Sequence, residues 1–170
     1  MNIYKKYRQC VGAMIVNKNH KKIFVAERID SPGSFQMPQG GINKDEESRA
    51  AILREIEEET GMKKLEFLSC MENPIEYTIP NNYLPKKWND EFIGQSILFF
   101  LLRFDGDDNE INLNNSPNPE FQSWKWIDIE ELTNHTLPFK KNLYFEVCET
   151  FKPIISIIFN DYKILENEFL

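Results

Sequence analysis

Cysteine is scarce in this chain, and the scarcity excludes two kinds of architecture. The three present, Cys10, Cys70 and Cys148, are far apart, odd in number and never in a C-x-x-C pair. Neither a disulfide framework nor a structural zinc site fits that pattern, and a reducing compartment is the default. Positive charge is also in deficit: 20 Lys and Arg against 27 Asp and Glu leave a net charge of −7. No general basic field exists to hold DNA or coat a nucleic acid, so any anionic ligand has to be recruited locally. Long apolar runs are missing too, since Ile97–Leu102 and Ile154–Phe159 are far too short to span a bilayer. The opening M-N-I-Y-K-K-Y-R has no apolar signal core. A cytoplasmic, monomeric protein without membrane contact is expected. With no repeats and no break in composition, residues 1–170 are read as one domain, large enough to bury a core.

What is present is concentrated between Gly40 and Met62, which read G-G-I-N-K-D-E-E-S-R-A-A-I-L-R-E-I-E-E-E-T-G-M. A glycine turn runs into a helix expected from about Glu46 to Thr60, with Gly61 stopping it as a C-cap. Glu55, Glu58 and Glu59 stand at i, i+3 and i+4, which puts them on one helical face. At about 100° per residue they cover roughly a quarter to a third of the circumference. Like charges so close repel unless a cation sits among them, and hard carboxylate oxygens suit Mg²⁺ or Mn²⁺. An acidic run taken alone is more often a solvated face. Here the Gly40-Gly41 turn lets a backbone carbonyl approach an ion closely, which makes Gly40 a further candidate ligand. Glu46 falls near the helix start, where an anion suits the terminus, and Arg54 is able to pair with an acid. These two are read as scaffold, together with Gly41 and Gly61. Ile52, Leu53 and Ile56 form the apolar side expected to pack on a sheet.

Elsewhere, Cys10–Val16 and Ile23–Ala26, joined by a polar turn at Asn17–Lys22, read as a β-hairpin. Leu65–Tyr77 reads as a strand broken at Pro74, Asn81–Asp90 as a loop, and Phe92–Phe104 as a buried strand. Asp105–Pro119 reads as an exposed loop, Phe121–Ile127 as a strand carrying Trp124 and Trp126, and Asp128–Asn134 as a short helix. The tail from Phe139 to about Tyr162 looks helical, with Pro153 kinking or restarting it. The sum is an α/β fold, a central mixed sheet with helices on both faces.

Gly40, Glu46, Arg54, Glu55, Ile56, Glu58, Glu59, Gly61 and Met62 fill every specified place of the spacing G-x5-E-x7-R-E-U-x-E-E-x-G-U, with U apolar. On that match the chain resembles the Nudix hydrolase family. The resemblance implies an α/β/α sandwich and a hydrolase acting on a nucleoside diphosphate linked to another group. It also implies two or more Mg²⁺ or Mn²⁺ ions held by Glu55, Glu58 and Glu59. Further segments are similar to one subgroup, the bacterial RNA 5′-pyrophosphohydrolases and the related asymmetric dinucleoside-tetraphosphate hydrolases. They are Tyr7-Arg8-x-x-Val11-Gly12, Pro38-Gln39-Gly40-Gly41-Ile42-Asn43, Ile93-Gly94-Gln95, Pro119-Glu120-Phe121 with Trp124 and Trp126, and Phe139-Lys140 opening the last helix.

Residue by residue, that likeness implies that Glu120 reaches the metal cluster as a ligand or base. Arg8 would grip the polyphosphate through parallel hydrogen bonds. Arg28 and Phe139 would sandwich the first base, Lys140 would be a neighbouring phosphate contact, and Tyr77 would form part of the cleft wall. Without the likeness, Glu120 is a solvated acid, Arg8 a surface residue and Phe139 core. Two departures stand out. Phe35-Gln36-Met37 replaces an aromatic pair resembling Trp-Gln-Phe, and Ser96-Ile97-Leu98-Phe99 replaces a basic stretch similar to Lys-Gln-Lys-Trp. The implied activity is removal of pyrophosphate from 5′-triphosphorylated RNA, promoting mRNA decay, with Glu58 or Glu120 as general base. The alternative is cleavage of diadenosine tetraphosphate to ATP and AMP. A non-catalytic regulatory module is a third reading, but such a module loses metal carboxylates, and this chain has lost none.

Overall fold

Residues 6–17, 22–88 and 91–168 are described in the computed structural model, 161–168 by their backbone alone. In chain order the elements are β1 (Lys6–Asn17), β2 (Ile23–Arg28), β3 (Phe35–Gln36), β4 (Gln39–Gly41), α1 (Ser48–Thr60), β5 (Leu65–Cys70), β6 (Ile75–Thr78), β7 (Phe92–Phe104), β8 (Phe121–Ile127) and α2 (Lys141–Glu168). β1 and β7 lie parallel, from Lys6 opposite Phe92 to Asn17 opposite Phe104. Their near-continuous apolar runs are what strands covered on both faces require. Shorter strands flank this pair antiparallel, β2 and β4 against β1, β5 and β6 against β7. β3 and β8 both pair with β2.

Period-two alternation divides the core between the two faces. Cys10, Met14, Ile97 and Phe99 point to the side covered by Tyr144, Val147 and Phe151 of α2. Val11, Ala13, Phe100 and Leu102 point to the other, where Ala51, Ile52 and Ile56 of α1 cover them. The mixed sheet with helices on both faces is therefore as expected. Among the described residues no helix is long and apolar enough to cross a membrane.

Several boundaries differ, each for a local reason. α1 starts at Ser48 rather than Glu46, because Asn43–Glu46 closes a turn of its own. The Glu46 amide donates to the Asn43 carbonyl at 3.1 Å, and Asp45 adopts a left-handed φ of 62° that a helix cannot contain. Leu53 is 38% exposed and does not belong to the packed side of α1. The helix does stop at Gly61, whose φ of 70° lets its amide reach back to the Glu57 carbonyl. Pro74 sits just before β6, where a missing N–H is tolerated. The Asn81–Asp90 loop contains two 3-10 turns, Asn81–Tyr83 and Lys86–Trp88, and the Asp128–Asn134 helix is a 3-10 turn over Ile129–Asn134. Parts of the Asn17–Lys22 turn and the end of that loop lie outside the described residues. Phe139 belongs to a 3-10 turn ahead of α2, and α2 runs through Pro153 without restarting and beyond Tyr162. Burial of Val147, Phe151 and Ile155 against the sheet offsets the one backbone bond that proline removes.

One α2 contact positions the site. The fully buried Tyr144 hydroxyl accepts the Met37 amide at 3.0 Å and so fixes the backbone just ahead of Pro38-Gln39-Gly40. Tyr144→Phe leaves that buried amide without an acceptor, so a stability loss of about 1–3 kcal/mol is expected. Urea unfolding at constant m-value measures it.

Candidate active site

α1 packs through Ala51, Ile52 and Ile56, which carries Glu55 and Glu59 against β4. The strand is bare backbone there. A Cβ built on Gly40 would lie 1.9 Å from Glu55 Cδ, so only glycine lets this carboxylate come so near. On Gly41 a Cβ would lie 2.1 Å from Arg8 Nη2, which shows how closely that guanidinium covers the same strand. Arg54 ties loop to helix. Its Nε and Nη2 donate to the two oxygens of Glu46 at 2.8 and 2.9 Å, Nη2 also to the Gly41 carbonyl at 2.9 Å, and Nη1 to Glu55 at 2.7 Å. The expectation that Arg54 pairs with an acid to hold the loop is met by Glu46. That acid lies two residues before the helix, bonded also to the Asn43 amide. Arg54 and that amide hold Glu46 down to about 2, so its share of stability is lost only as pH falls toward that value.

The remaining acids differ in surroundings. Glu59 is buried and accepts the Gln39 amide at 3.2 Å. Burial, with the charges of Glu120 and Glu55, pushes its carboxyl well up. Glu55 is raised chiefly by burial, against the opposing pull of Arg54. Glu58 and Glu120 are open to solvent, with side chains 52% and 54% exposed. Glu120 stands just before β8, its carboxylate 4.0 Å from Arg28 and its carbonyl accepting the Ile29 amide.

Among the described residues no three acidic, histidine or cysteine side chains already converge on one point. The site nevertheless fits a divalent cation by its chemistry. Crowded carboxylates with raised affinity for protons, next to a backbone stripped of Cβ, form a negative cradle of hard oxygens.

These groups border a cleft of about 920 Å³ whose wall includes Arg8, Arg28, Gly40, Gly41, Glu55, Glu58 and Glu120. A narrower slot opens from it, lined by Arg28, Tyr77, Phe139 and Lys140, with Gln39, Gln95, Tyr83 and Trp88. Every expected substrate contact thus borders one of two joined spaces, while Glu59 borders neither and accepts the amide of Gln39, which borders both. Arg28 has its edge engaged, at 2.6 and 2.5 Å by Asp30 and at 3.2 Å by Gln36, which fixes its plane. Tyr77 and Phe139 are stacked with centroids 6.4 Å apart. Lys140 is buried under the slot, donating to Gln36 and Gln39 at 2.8 and 3.2 Å, and it does not border the wider cleft. Gln39 in turn bonds Gln95 at 3.1 Å, and Gln95 also accepts the Tyr77 hydroxyl. The roles of Gln36, Gln39 and Gln95 are not visible in sequence, because a lone glutamine carries no periodic signal. Tyr83 and Trp88 left one clue, two aromatics inside an otherwise polar, proline-bounded loop.

A mixed sheet sandwiched by helices, with a Gly-Gly strand facing a glutamate-bearing helix, defines a known class. The NUDIX domain model matches residues 6–147, and the chain belongs to that family. Divalent metal ions serve the family generally. An RNA pyrophosphohydrolase of Wolbachia pipientis subsp. Culex pipiens (strain wPip) is 41% identical over 151 residues, covering 89% of this chain and 93% of its own. Another, from Pelagibacter ubique (strain HTCC1062), is 42% identical over 150 residues, covering 88% and 94%. Among solved structures, the E. coli dihydroneopterin triphosphate pyrophosphohydrolase superposes with a TM-score of 0.64 at 18% identity, over 84% of this chain and 96% of its own. A C. elegans Ap4A hydrolase follows at 0.60 and 17%, over 86% and 98%. At these identities the structural likeness concerns the fold.

Lys140 generates a test of the slot. Burial, then the charge of Arg28, lowers its ammonium to about 7 from the usual 10.5. Between those values the unfolded chain binds the proton and the folded one does not, so stability rises with pH across that window. Lys140→Met is expected to flatten this rise relative to the unaltered protein, as read from urea unfolding at pH 7 and pH 9.

Proposed function

We propose that the protein removes pyrophosphate from the 5′-triphosphate end of RNA and leaves a 5′-monophosphate. The reading rests on one observation, the continuity of the acid-lined cleft with the Arg28–Phe139 slot. A substrate with a base joined to a polyphosphate needs both spaces. Arg28 and Phe139 offer flat faces for the base, and the engaged edge of Arg28 suits stacking better than phosphate capture. Arg8, laid against Gly41, would take phosphate oxygens running toward the acids. The near full-length likeness to proteins named RNA pyrophosphohydrolase supports the same choice.

Glu55, Glu58, Glu59, Glu120 and the Gly40 carbonyl would hold Mg²⁺ or Mn²⁺, two or more ions. When bound, such ions supply positive charge to the phosphate oxygens and make water a stronger acid. Glu55 and Glu59 are held at short range by Arg54 and the Gln39 amide, whereas Glu58 and Glu120 are half exposed and meet Arg54 and Arg28 only at 3.4 and 4.0 Å, so one of those two would take the proton of the attacking water. Buried Gln36 and Lys140 hold the plane of Arg28 and the floor of the slot in register.

Asymmetric cleavage of a dinucleoside polyphosphate is the second reading. It is favoured by the absence of lysine from β7 beyond Gln95, where Ser96, Ile97 and Phe99 are buried and add no charge for a long RNA. Purified protein is to be given triphosphorylated oligonucleotide and diadenosine tetraphosphate under equal Mg²⁺. The higher kcat/KM is expected for the oligonucleotide, and a far higher value for the dinucleotide reverses the choice. Glu58→Gln is expected to keep the circular dichroism spectrum and to lower kcat about 100-fold or more. An unchanged rate removes Glu58 from the mechanism.

A further inference from the structure

The arginines of the site are held in different ways. Arg54 and Arg28 spend their N–H edges, Arg54 on Glu46, Glu55 and the Gly41 carbonyl, Arg28 on Asp30 and Gln36. Arg8 is held by contact instead. A Cβ on Gly41 would lie 2.1 Å from its Nη2, and its guanidinium carbon stands over the Trp88 ring, 5.8 Å from the centroid. Among the described residues none accepts a hydrogen bond from Arg8 or forms an ion pair with it. The donors of its rigid fork are therefore left for a ligand in the cleft it borders.

Trp88 is itself fixed. β1 and β7 begin side by side with Lys6 opposite Phe92, so Trp88, just ahead of Phe92, meets Arg8, just past Lys6. Its ring packs edge-on to Phe92 at 5.6 Å, its amide donates to the Pro85 carbonyl at 2.9 Å, and its carbonyl accepts the Glu91 amide at 2.8 Å. Only 7% of the residue is exposed, and its Nε1 is buried without an acceptor among the described residues. An unpaired buried donor costs stability, and a phenylalanine would pack there without that cost. What the indole adds is the strongest π face for a cation among the aromatic side chains.

We propose that Trp88 is a positioning residue for polyphosphate binding. Its ring holds the Arg8 guanidinium against Gly41 and leaves the N–H donors free to take phosphate oxygens. The assignment rests on the reading of Arg8 as a phosphate contact, which the RNA and dinucleotide substrates share, and it gives Trp88 no contact with a base. An arginine without such support would lose its rotamer freedom only on binding, at a cost in affinity that Trp88 removes beforehand.

The test uses inorganic tripolyphosphate with Mg²⁺, a probe that has no base. Calorimetry reads its Kd for the unaltered protein, Trp88→Leu, Trp88→Phe, Arg8→Ala and the double variant Arg8→Ala with Trp88→Leu. Trp88→Leu is expected to weaken binding about 2- to 30-fold, the range that one cation–π contact implies. Trp88→Phe, which keeps a smaller ring under the cation, is expected to recover part of that loss. In the Arg8→Ala background Trp88→Leu is expected to change nothing further, because a residue acting through Arg8 then has nothing to act on. Where urea unfolding shows that Trp88→Leu does not fold, the same cycle with Trp88→Phe decides, and a loss confined to protein that retains Arg8 supports the role. A Kd left unmoved, or raised equally with and without Arg8, overturns the positioning role and leaves the polyphosphate cleft standing. If the unaltered protein binds no tripolyphosphate, the role and the phosphate reading of Arg8 fall together.

Discussion

Arg54 is the residue on which the site depends. It joins Glu46, the Gly41 carbonyl and Glu55 in one set of short hydrogen bonds, and so fastens the glycine strand to the helix carrying the acids. Without such a cation between them, a helix with several glutamates on one face would be pushed away from a partly buried position by its own charge. With it, Glu55 lies against the Gly40 backbone, and Glu59 sits buried on the Gln39 amide. The same arrangement leaves negative charge unbalanced toward the cleft, and a divalent cation is the natural complement.

The other half of the site comes from distant parts of the chain. Arg28 ends β2, Tyr77 lies in β6, Gln95 in β7, and Phe139 and Lys140 precede α2. The sheet brings them together because β1 pairs with both β2 and β7, and β6 pairs with β7. α2 then closes one face, with Tyr144 bonded to the Met37 amide. A chain of buried polar groups, Lys140 to Gln36 and Gln39 and on to Gln95, links these elements at the floor of the slot. Each buried amide needs its neighbour's oxygen, so the slot is positioned as a unit.

How much of this was legible in sequence depends on the range of the signal. The acids of α1 and the stop at Gly61 could be read directly, because spacing along a helix fixes which side chains share a face. The strands at Cys10–Val16 and Phe92–Phe104 are equally plain, since burial on both faces demands their apolar runs. The start of α1 falls two residues later than the spacing predicts, after a turn at Asn43–Glu46 with a left-handed Asp45 that composition does not reveal. Leu53 follows Ile52 by about 100° around the helix, and it is exposed while Ile52 and Ile56 are buried. The glutamine network and the placement of Tyr83 over Phe139 were invisible, because they arise only when strands far apart in the chain lie side by side. Family resemblance filled part of that gap by naming Arg28, Phe139 and Lys140 as neighbours.

Bare backbone at Gly40, with the clamped acids of α1 beside it, is the feature suited to a divalent cation. Manganese titration followed by electron paramagnetic resonance, on the unaltered protein and on Gly40→Ala, tests it most directly. The unaltered protein is expected to sequester Mn²⁺, and Gly40→Ala, whose methyl would collide with Glu55, is expected to bind it at least about tenfold more weakly, the effect of losing roughly 1.4 kcal/mol. Free Mn²⁺ signal undiminished by the unaltered protein, or equal binding by both, would contradict it.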